Sequence, residues 1–279
     1  MSNLTISAAD VAKLRNQTGA GMMDCKKALT EAEGDFEKAI DILRKKGQKI
    51  AANRSDRAAG EGVSIALTNP QGNFGIALCL GCETDFVAKN ENFVAFATRI
   101  ANIALSLEAT DKEQVLAADL DGLTVAERIS EQMGRVGEKL EIVRYEALKS
   151  ELVVPYIHLG YRIGVLLGLN KSGANLIEAG KDVAMQVAAM NPVAVDQNSV
   201  STEMINKEIE IGKELAIQEG KTPDMAEKIA QGRLQKFFKE NTLLSQAFVK
   251  DQEKTVKQYL QSVDKDLTAT NFKRVSVGG

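Results

Sequence analysis

The chain carries the pattern of a β-hairpin followed by an amphipathic helix, and this pattern limits the fold more than any other feature. Two apolar runs, residues 63–67 and 74–80, flank a turn sequence that contains Pro70 and Gly72, as expected for paired strands. From Glu91 onwards, apolar side chains recur every three or four residues, which predicts a helix. This helix would cover one face of the hairpin.

A second copy of the pattern follows further along the chain. Residues 153–158 and 163–169 predict strands on either side of a turn at Gly160, and residues 175–190 predict a helix that ends before Pro192. Residues 75–78 and 164–167 occupy equivalent places in the two copies. The chain is therefore predicted to be an α+β protein with two similar subdomains, each an antiparallel sheet with helices on one face.

Three short amphipathic helices are predicted before the first hairpin. Ser7 can cap the first, which ends at Thr18; the second spans residues 22–33; Asp35 can cap the third, which ends at Gly47. Helices of this length bury enough apolar surface together to form a small bundle over residues 1–48. Residues 49–61 carry charges without an apolar stripe and predict a linker.

Two long charged helices are predicted between residues 201 and 241, with Thr222 as the cap and Pro223 in the first turn of the second helix. Their apolar residues predict an antiparallel helical hairpin, formed by Ile205, Ile209, Leu215, Ile217, Met225, Ile229, Leu234 and Phe237.

The predicted domains are the bundle 1–48, the linker 49–61, the first subdomain 62–149, the second subdomain 150–200 with 242–279, and the inserted hairpin 201–241.

Composition argues for a protein partner rather than a nucleic acid. Lys and Arg number 35 and Asp and Glu 38, so the formal charge is −3, whereas nucleic-acid binding needs a clustered basic face. No apolar stretch approaches the roughly 20 residues of a membrane helix, and no export signal precedes the bundle. The three cysteines are an odd number, which argues against a disulfide framework and fits a reducing compartment. We expect a cytoplasmic protein that contacts neither nucleic acid nor membrane directly.

The chain lacks the residues that common catalytic and cofactor sites need. Its single histidine, His158, cannot build a multi-histidine metal site, and a lone histidine beside Gly160 is more often structural than catalytic. Cys79 and Cys82 have a C-x-x-C spacing, but they lack a second pair and they end a strand instead of beginning a helix. No phosphate-binding glycine loop or nucleophile elbow is present. We expect no metal, no cofactor and no covalent catalysis.

One candidate contact site for a protein partner is the sequence Thr84-Asp85-Phe86-Val87. It lies in a predicted loop between the first hairpin and the helix that follows. Phe86 could be an exposed aromatic anchor, since such residues carry much of the energy of a protein interface. It could equally pack under its own loop while Asp85 caps a turn.

A second candidate is Met23 in the predicted bundle. It lies roughly 200° around its helix from Cys25, whereas Met22 shares the face of Cys25 and Leu29. Met23 should therefore point away from the bundle core, where a flexible thioether is an adaptable contact residue.

Two long motifs carry a family resemblance. Residues 18–29, with the sequence TGAGMMDCKKAL, and residues 84–90, with the sequence TDFVAKN, closely resemble the two signatures of the elongation factor Ts family in the same order and spacing. Residues 158–164, 232–233 and 248–249 add further matches. The resemblance covers essentially the whole chain.

This resemblance implies an exchange factor that binds elongation factor Tu in its GDP-bound and nucleotide-free states. The N-terminal bundle would be a ubiquitin-associated-like domain that docks on the nucleotide-binding domain of the partner, with Met22 and Met23 at or near that surface. Asp85 and Phe86 would enter the partner near its magnesium and switch region, and His158 would begin a second core contact. The hairpin would be the coiled-coil module of the family. Exposed hairpin and sheet edges could also support a homodimer or a heterotetramer.

Two other interpretations remain open at the level of sequence. A plain interaction adaptor would bind partners through the bundle and hairpin without altering nucleotide affinity. A thiol oxidoreductase would use Cys79 and Cys82.

Overall fold

The computed structural model describes residues 6–278, so the first five positions of the predicted bundle and the final position of the last predicted domain lie outside the described residues. The bundle consists of α1 (Ala8–Thr18), α2 (Met22–Glu31) and α3 (Phe36–Asn53). The Ser7 side chain caps α1 by accepting a hydrogen bond from the Asp10 amide, and Gly19 ends it in a left-handed conformation. The bundle core contains Val11, Leu14, Ala20, Cys25, Ala28, Leu29, Ala32 and Ala39.

The first subdomain contains a three-stranded antiparallel sheet with helices on one face, as predicted. In chain order its elements are β1 (Glu61–Thr68), β2 (Phe74–Cys82), α4 (Asp85–Ala88), α5 (Glu91–Ser106), α6 (Lys112–Ala117), β3 (Asp119–Leu120), β4 (Leu123–Thr124), α7 (Val125–Val136) and β5 (Glu141–Lys149). The strand order is β1-β2-β5, and β3 and β4 form a separate small ladder. Side chains of β1, β2 and β5 pack with those of α5, α6 and α7 in one apolar core.

The second subdomain repeats this plan and contains the helical hairpin as an insertion. Its elements are β6 (Leu152–His158), β7 (Ile163–Leu169), α8 (Ile177–Met190), α9 (Thr202–Gln218), α10 (Pro223–Asn241), β8 (Ala247–Phe248), β9 (Asp251–Thr255), α11 (Val256–Val263) and β10 (Ala269–Ser276). Its antiparallel sheet has the order β6-β7-β10. Helices α8 and α11 cover one face of that sheet and share its core.

The two sheets pack against each other through the faces that their helices leave open. A separate apolar cluster lies between them and contains Ala66, Ala77, Cys79, Leu148, Val153, Leu166 and Val275. The amide of Ser64 in β1 donates to the carbonyl of Tyr161 at 2.6 Å, and Lys273 in β10 pairs with Glu146 in β5 at 2.9 Å. The layers therefore follow the order helix, sheet, sheet, helix, and β2 is buried along its whole length.

The predicted end of the third helix at Gly47 is wrong, because α3 continues to Asn53 and takes up the first part of the predicted linker. Gly47 is buried where α3 crosses α7. A Cβ atom at this position would lie 2.7 Å from the carbonyl oxygen of Ser130, so the glycine allows a close helix crossing instead of ending the helix. Arg44 in α3 and Glu131 in α7 form an ion pair of 3.1 Å beside it.

Helices α9 and α10 form the predicted antiparallel hairpin, but several predicted contacts are wrong. Leu215, Ile217 and Met225 are exposed, and small residues form much of the helix contact instead. A Cβ atom at Gly212 would lie 3.1 Å from the Ala230 Cβ, so the helices approach too closely for larger side chains.

The chain segments that flank the helical hairpin lie side by side. The Val193 amide donates to the Asn241 carbonyl at 2.9 Å, and the Leu243 amide donates to the Ala194 carbonyl at 2.9 Å. An isolated parallel bridge joins Ala194 and Thr242. The insertion thus leaves and re-enters the second subdomain at one point.

Candidate partner-binding surface

Residues 84–87 lie at the end of β2, where the chain turns towards α5. The predicted loop is a short helix instead: Asp85–Ala88 form α4, and Thr84 precedes them in an extended conformation. The Phe86 side chain is 84% exposed, which excludes the alternative that it packs under its own turn. Val87, the next residue, packs against the core of the first subdomain. The turn is therefore anchored by Val87 and presents Phe86 to solvent.

Asp85 carries a negative charge beside the exposed ring. Its carboxylate accepts a hydrogen bond from the Lys89 ammonium at 2.6 Å, and this hydrogen bond is the main reason why the pKa of Asp85 lies below its ordinary value. The pair is solvent-exposed and spans one helical turn, so it contributes little to stability. The partly exposed carboxylate of Asp85 is thus available to a partner.

Glu138 supports the turn from behind. It lies in the loop between α7 and β5 and accepts hydrogen bonds from the amides of Glu83 and Thr84, at 3.2 and 3.1 Å, and from the Thr84 hydroxyl at 2.6 Å. Both amides lie just before α4, where backbone donors have no partner within the helix. One side chain therefore satisfies the donors at the start of this turn.

Glu83 links the same turn to the segment that leads from the bundle. Its carboxylate accepts hydrogen bonds from Arg54 at 2.6 Å, from Arg57 at 3.0 Å and from the Lys139 amide at 2.6 Å. The Lys139 ammonium in turn donates to the carbonyls of Ser55 and Arg57 at 2.9 Å each. We call Glu83, Glu138, Lys139, Arg54 and Arg57 the brace. The brace was not predicted from sequence, because isolated charges indicate a solvated surface.

The pKa of Glu83 is displaced strongly by these contacts. Burial alone would raise it, but the hydrogen bonds from the Lys139 amide, Arg54 and Arg57 lower it to about 2. A carboxyl group with a depressed pKa stabilises the fold above its ordinary pKa and loses that effect as the pH falls towards the folded value. The contribution of Glu83 is therefore complete above pH 4.5 and disappears between pH 4.5 and about 2.

The variant Glu83→Gln tests this expectation. Urea unfolding midpoints of the wild type should fall more steeply than those of the variant as the pH drops below 4.5, because only the wild type takes up the Glu83 proton on unfolding. The two curves should converge near pH 2. Parallel curves over this range would show that the carboxylate contributes no pH-dependent stability.

Met22 and Met23 are both exposed, at 56% and 64%. The outward direction of Met23 agrees with the sequence, whereas Met22 is exposed although it shares a predicted face with Cys25. Met22 is the first residue of α2, and the core residues of that helix begin only at Cys25. Gly19, just before α2, lines a groove of about 670 Å³ together with Phe86, Phe93, Arg135 and Val136. The end of α1 and the Phe86 turn thus line one groove, whereas Met22 and Met23 do not line it.

His158 ends strand β6, and its Nδ1 atom lies 3.0 Å from the Tyr156 hydroxyl. The tip of the hairpin that follows is more prominent. Leu159 is 76% exposed, and Leu159 and Tyr161 line a groove of about 640 Å³ with Asp85 and Lys89. The sequence did not single out these two residues, because one apolar residue beside a turn is common at protein surfaces.

The structure brings three of the predicted contact residues, Asp85, Phe86 and Val87, to two neighbouring grooves, whereas Thr84, Met22, Met23 and His158 line neither. Phe86 lines the groove that includes Gly19, and Asp85 lines the groove that includes Leu159. Both grooves include Ala95. Residues of the α9–α10 hairpin line neither groove. The surface around α4 is continuous from the bundle to the second subdomain.

Cys79 and Cys82 do not form a redox site. Cys79 faces the cluster between the two sheets, whereas Cys82 belongs to the core beneath the helices, so the thiols lie on opposite sides of β2. Burial raises the pKa of Cys79 to about 11 and that of Cys82 to about 12, and only a thiolate is nucleophilic. Across residues 6–278 the structure contains no group of three acidic, cysteine or histidine residues arranged to hold a metal.

The helices of residues 6–278 are all too short or too polar to cross a membrane.

Comparisons with known proteins agree on one family. The family model described as "Elongation factor TS" matches residues 83–279. A relative named elongation factor Ts from Amoebophilus asiaticus (strain 5a2) is 53% identical over 276 residues, which cover 99% of this chain and 100% of the relative. Relatives with the same name from Flavobacterium psychrophilum and Christiangramia forsetii are 50% and 51% identical, and each alignment covers 98% of this chain and 99% of the relative.

Proposed function

This chain belongs to the elongation factor Ts family, and from that premise we propose that it is a guanine-nucleotide exchange factor for elongation factor Tu. It binds the GDP-bound partner, disturbs the contacts that hold magnesium and phosphate, and promotes the release of GDP so that GTP can bind. The chain is a translation elongation factor. We propose its exchange activity, its partner and the residues that contact this partner.

The observation that carries this proposal is the exposure of Phe86. A phenylalanine that is 84% exposed on a braced turn leaves a large apolar side chain in water until a partner covers it. Aromatic anchors of this kind supply a large share of the binding energy at protein interfaces. Asp85 beside it adds a carboxylate that can compete for groups around a magnesium ion. Together they suit a wedge that enters a nucleotide site.

Exchange of this kind needs no acid, base or nucleophile in the chain. GDP with Mg²⁺ is held because the metal and loop amides neutralise the phosphates. A protein that binds the nucleotide-free conformation better than the nucleotide-bound one weakens that hold. A thousandfold faster release requires about 4 kcal/mol of differential stabilisation. One or two buried aromatic anchors are sufficient for this amount.

The exchange cycle turns over because the coupling between the ligands is reciprocal. If this chain lowers the affinity of the partner for GDP, bound nucleotide lowers the affinity of the partner for this chain by the same factor. Incoming GTP therefore releases the exchange factor. No energy source is needed beyond the concentrations of the nucleotides.

We assign the remaining contact residues to docking. Met22 and Met23 are exposed at the start of α2 and would meet the nucleotide-binding domain of the partner. His158 and the hairpin tip after it would form a second contact on the other side of the turn. In this arrangement the partner covers the two adjoining grooves, and Phe86 enters between its docking sites.

The test is the release of a fluorescent GDP analogue from elongation factor Tu at fixed free Mg²⁺. The expected result is faster release, roughly a thousandfold at saturation, with catalytic turnover at substoichiometric amounts of the chain. Stable binding without faster release would refute exchange activity and support an interaction adaptor. Absence of both binding and acceleration would refute the partner as well.

A further inference from the structure

Three separate segments of the chain meet behind the Phe86 turn. They are the segment after α3 with Arg54 and Arg57, the end of β2 with Glu83, and the loop after α7 with Glu138 and Lys139. Two carboxylates receive the hydrogen bonds from all three. These charge-assisted hydrogen bonds involve Glu83 and Thr84, the two residues that directly precede the Phe86 turn.

We propose that Glu138 and Glu83 are positioning residues for Phe86, which hold its turn in the orientation needed in the partner complex and fix that turn relative to the N-terminal bundle. The inference deepens the proposed exchange function and rests on it for the effect on GDP release. Neither carboxylate touches the partner in this proposal. Both act through the turn that carries the ring.

Helix α4 is too short to be stable without support from Glu138. Its four residues, Asp85–Ala88, are far too few for a helix that is stable alone. The Thr84 side chain makes no capping hydrogen bond to the helix, and its hydroxyl donates to the Glu138 carboxylate. The Glu138 carboxylate therefore takes over part of the work of a cap, by holding the Thr84 amide and hydroxyl together. Without it, the turn would keep only the packing of Val87 and Ala88 on the core and the hydrogen bond from the Cys82 thiol to the Thr84 carbonyl.

Glu83 holds the segment that connects the bundle to β1. After α3 ends at Asn53, both arginines that precede β1 by a few residues bind this carboxylate, and Lys139 holds the carbonyls of Ser55 and Arg57. The middle of the predicted linker, residues 54–57, is thus held by hydrogen bonds. Because α3 also crosses α7 directly, the bundle and the Phe86 turn keep a fixed relative position. A fixed geometry of this kind spares the ordering of loops on binding.

The experiment uses the full chain with Glu138→Ala, Glu138→Gln and the control Glu146→Gln. Glu146 lies in β5, the strand that follows the Glu138 loop, and pairs with Lys273 of the second subdomain at 2.9 Å instead of binding the turn. A glutamine at position 138 keeps one oxygen for the two amides and an amide group that can donate to the Thr84 hydroxyl. It is therefore the conservative variant that should rescue the loss caused by alanine.

The first measurement is hydrogen exchange of the backbone amides from residue 83 to residue 89 in the free protein. Glu138→Ala should raise their exchange rates about tenfold or more, since the Glu83 and Thr84 amides lose their acceptor. Glu138→Gln and Glu146→Gln should leave the rates within about twofold of the wild type. Unchanged rates in Glu138→Ala would overturn the proposal, because the carboxylate would then not hold the turn.

The second measurement separates positioning from affinity in the GDP-release assay. Glu138→Ala should lower the maximal release rate about tenfold with a smaller change in the half-saturating concentration, because a displaced anchor loses rate more than docking. Glu138→Gln should recover most of that rate. A maximal rate equal to the wild type in Glu138→Ala would overturn the proposal even where amide exchange is faster.

The two measurements also distinguish this inference from the proposed function. A wild-type chain that fails to accelerate GDP release would refute the proposed function. Hydrogen exchange of the backbone amides would then be the remaining test of whether the brace holds the turn. Faster exchange in Glu138→Ala, but not in Glu146→Gln, would support the brace in that case. Equal exchange in both variants would refute it.

Discussion

Phe86→Ala is expected to abolish most of the acceleration of GDP release while the chain still docks on its partner. Truncation of an aromatic anchor at an interface typically removes about 2 kcal/mol or more, which corresponds to a roughly 30-fold or greater loss of rate. The ring is exposed in the free chain, so its removal leaves no cavity and should not destabilise the fold. The measurement is the release rate of the GDP analogue at saturating protein, together with partner binding.

Leu107→Ala provides a matched control for this prediction. Leu107 is another apolar residue of the first subdomain, 58% exposed at the end of α5, and it lines neither of the two grooves. Its truncation should leave release and binding unchanged. Release rates like those of the wild type in Phe86→Ala would remove the wedge role, and a loss of binding equal to the loss of rate would assign Phe86 to docking instead.

Gly47→Ala is expected to separate the bundle from the first subdomain. The new methyl group would lie 2.7 Å from the Ser130 carbonyl oxygen, so α3 and α7 must move apart or bend. Overpacking of this type costs about 1–3 kcal/mol. Amide exchange should become faster in α3 and α7, and the half-saturating concentration in the GDP-release assay should rise because the bundle loses its fixed position.

Gly232→Ala makes the same chemical change in a helix where no atom lies within 4 Å of the added carbon. Here the substitution should be neutral or stabilising by up to about 1 kcal/mol, since alanine favours the helix. The contrast between the two variants isolates the close crossing from the general effect of a helical glycine. Similar amide exchange and release kinetics in both variants would mean that the crossing does not hold the bundle.

The sequence predicted the fold well where the signal was local. The repeated hairpin and helix pattern identified both subdomains, and the cap at Thr222 with Pro223 after it separated the two helices of the hairpin. It could not show that the two sheets pack face to face. Pairing of this kind depends on residues far apart in the chain, such as Ala77 and Leu166, and their apolar character alone is also consistent with burial under a helix.

The same limit applies to the details of packing. Large apolar residues were predicted to join α9 and α10, but Gly212, Ala216, Ala226 and Ala230 are buried there. Small side chains allow the helices to approach closely, and the displaced Leu215 then points outward. A pattern of hydrophobicity does not distinguish a contact made by large side chains from one made by the backbone itself.

The sequence singled out residues 84–87, and their role in partner binding stays a prediction. The exposure of Phe86 could not be decided from sequence, because it depends on how distant segments pack around the turn. Glu138 holds the turn by hydrogen bonds, but it lies far away in the chain and its charge alone predicts only a solvated position. Leu159 and Tyr161 were also missed, since their proximity to Asp85 results from the packing of one subdomain on the other.

The joined ends of the helical insertion have a consequence for how proteins of this design can change over time. The Val193 amide and the Asn241 carbonyl are in contact. The two chain ends that the rest of the second subdomain must hold therefore stay in the same place, whatever the insertion contains. Added or deleted helical turns alter the loop-closure entropy only slowly with length. Natural variation can therefore lengthen, shorten or reshape this arm while the scaffold that carries Phe86 stays under separate selection.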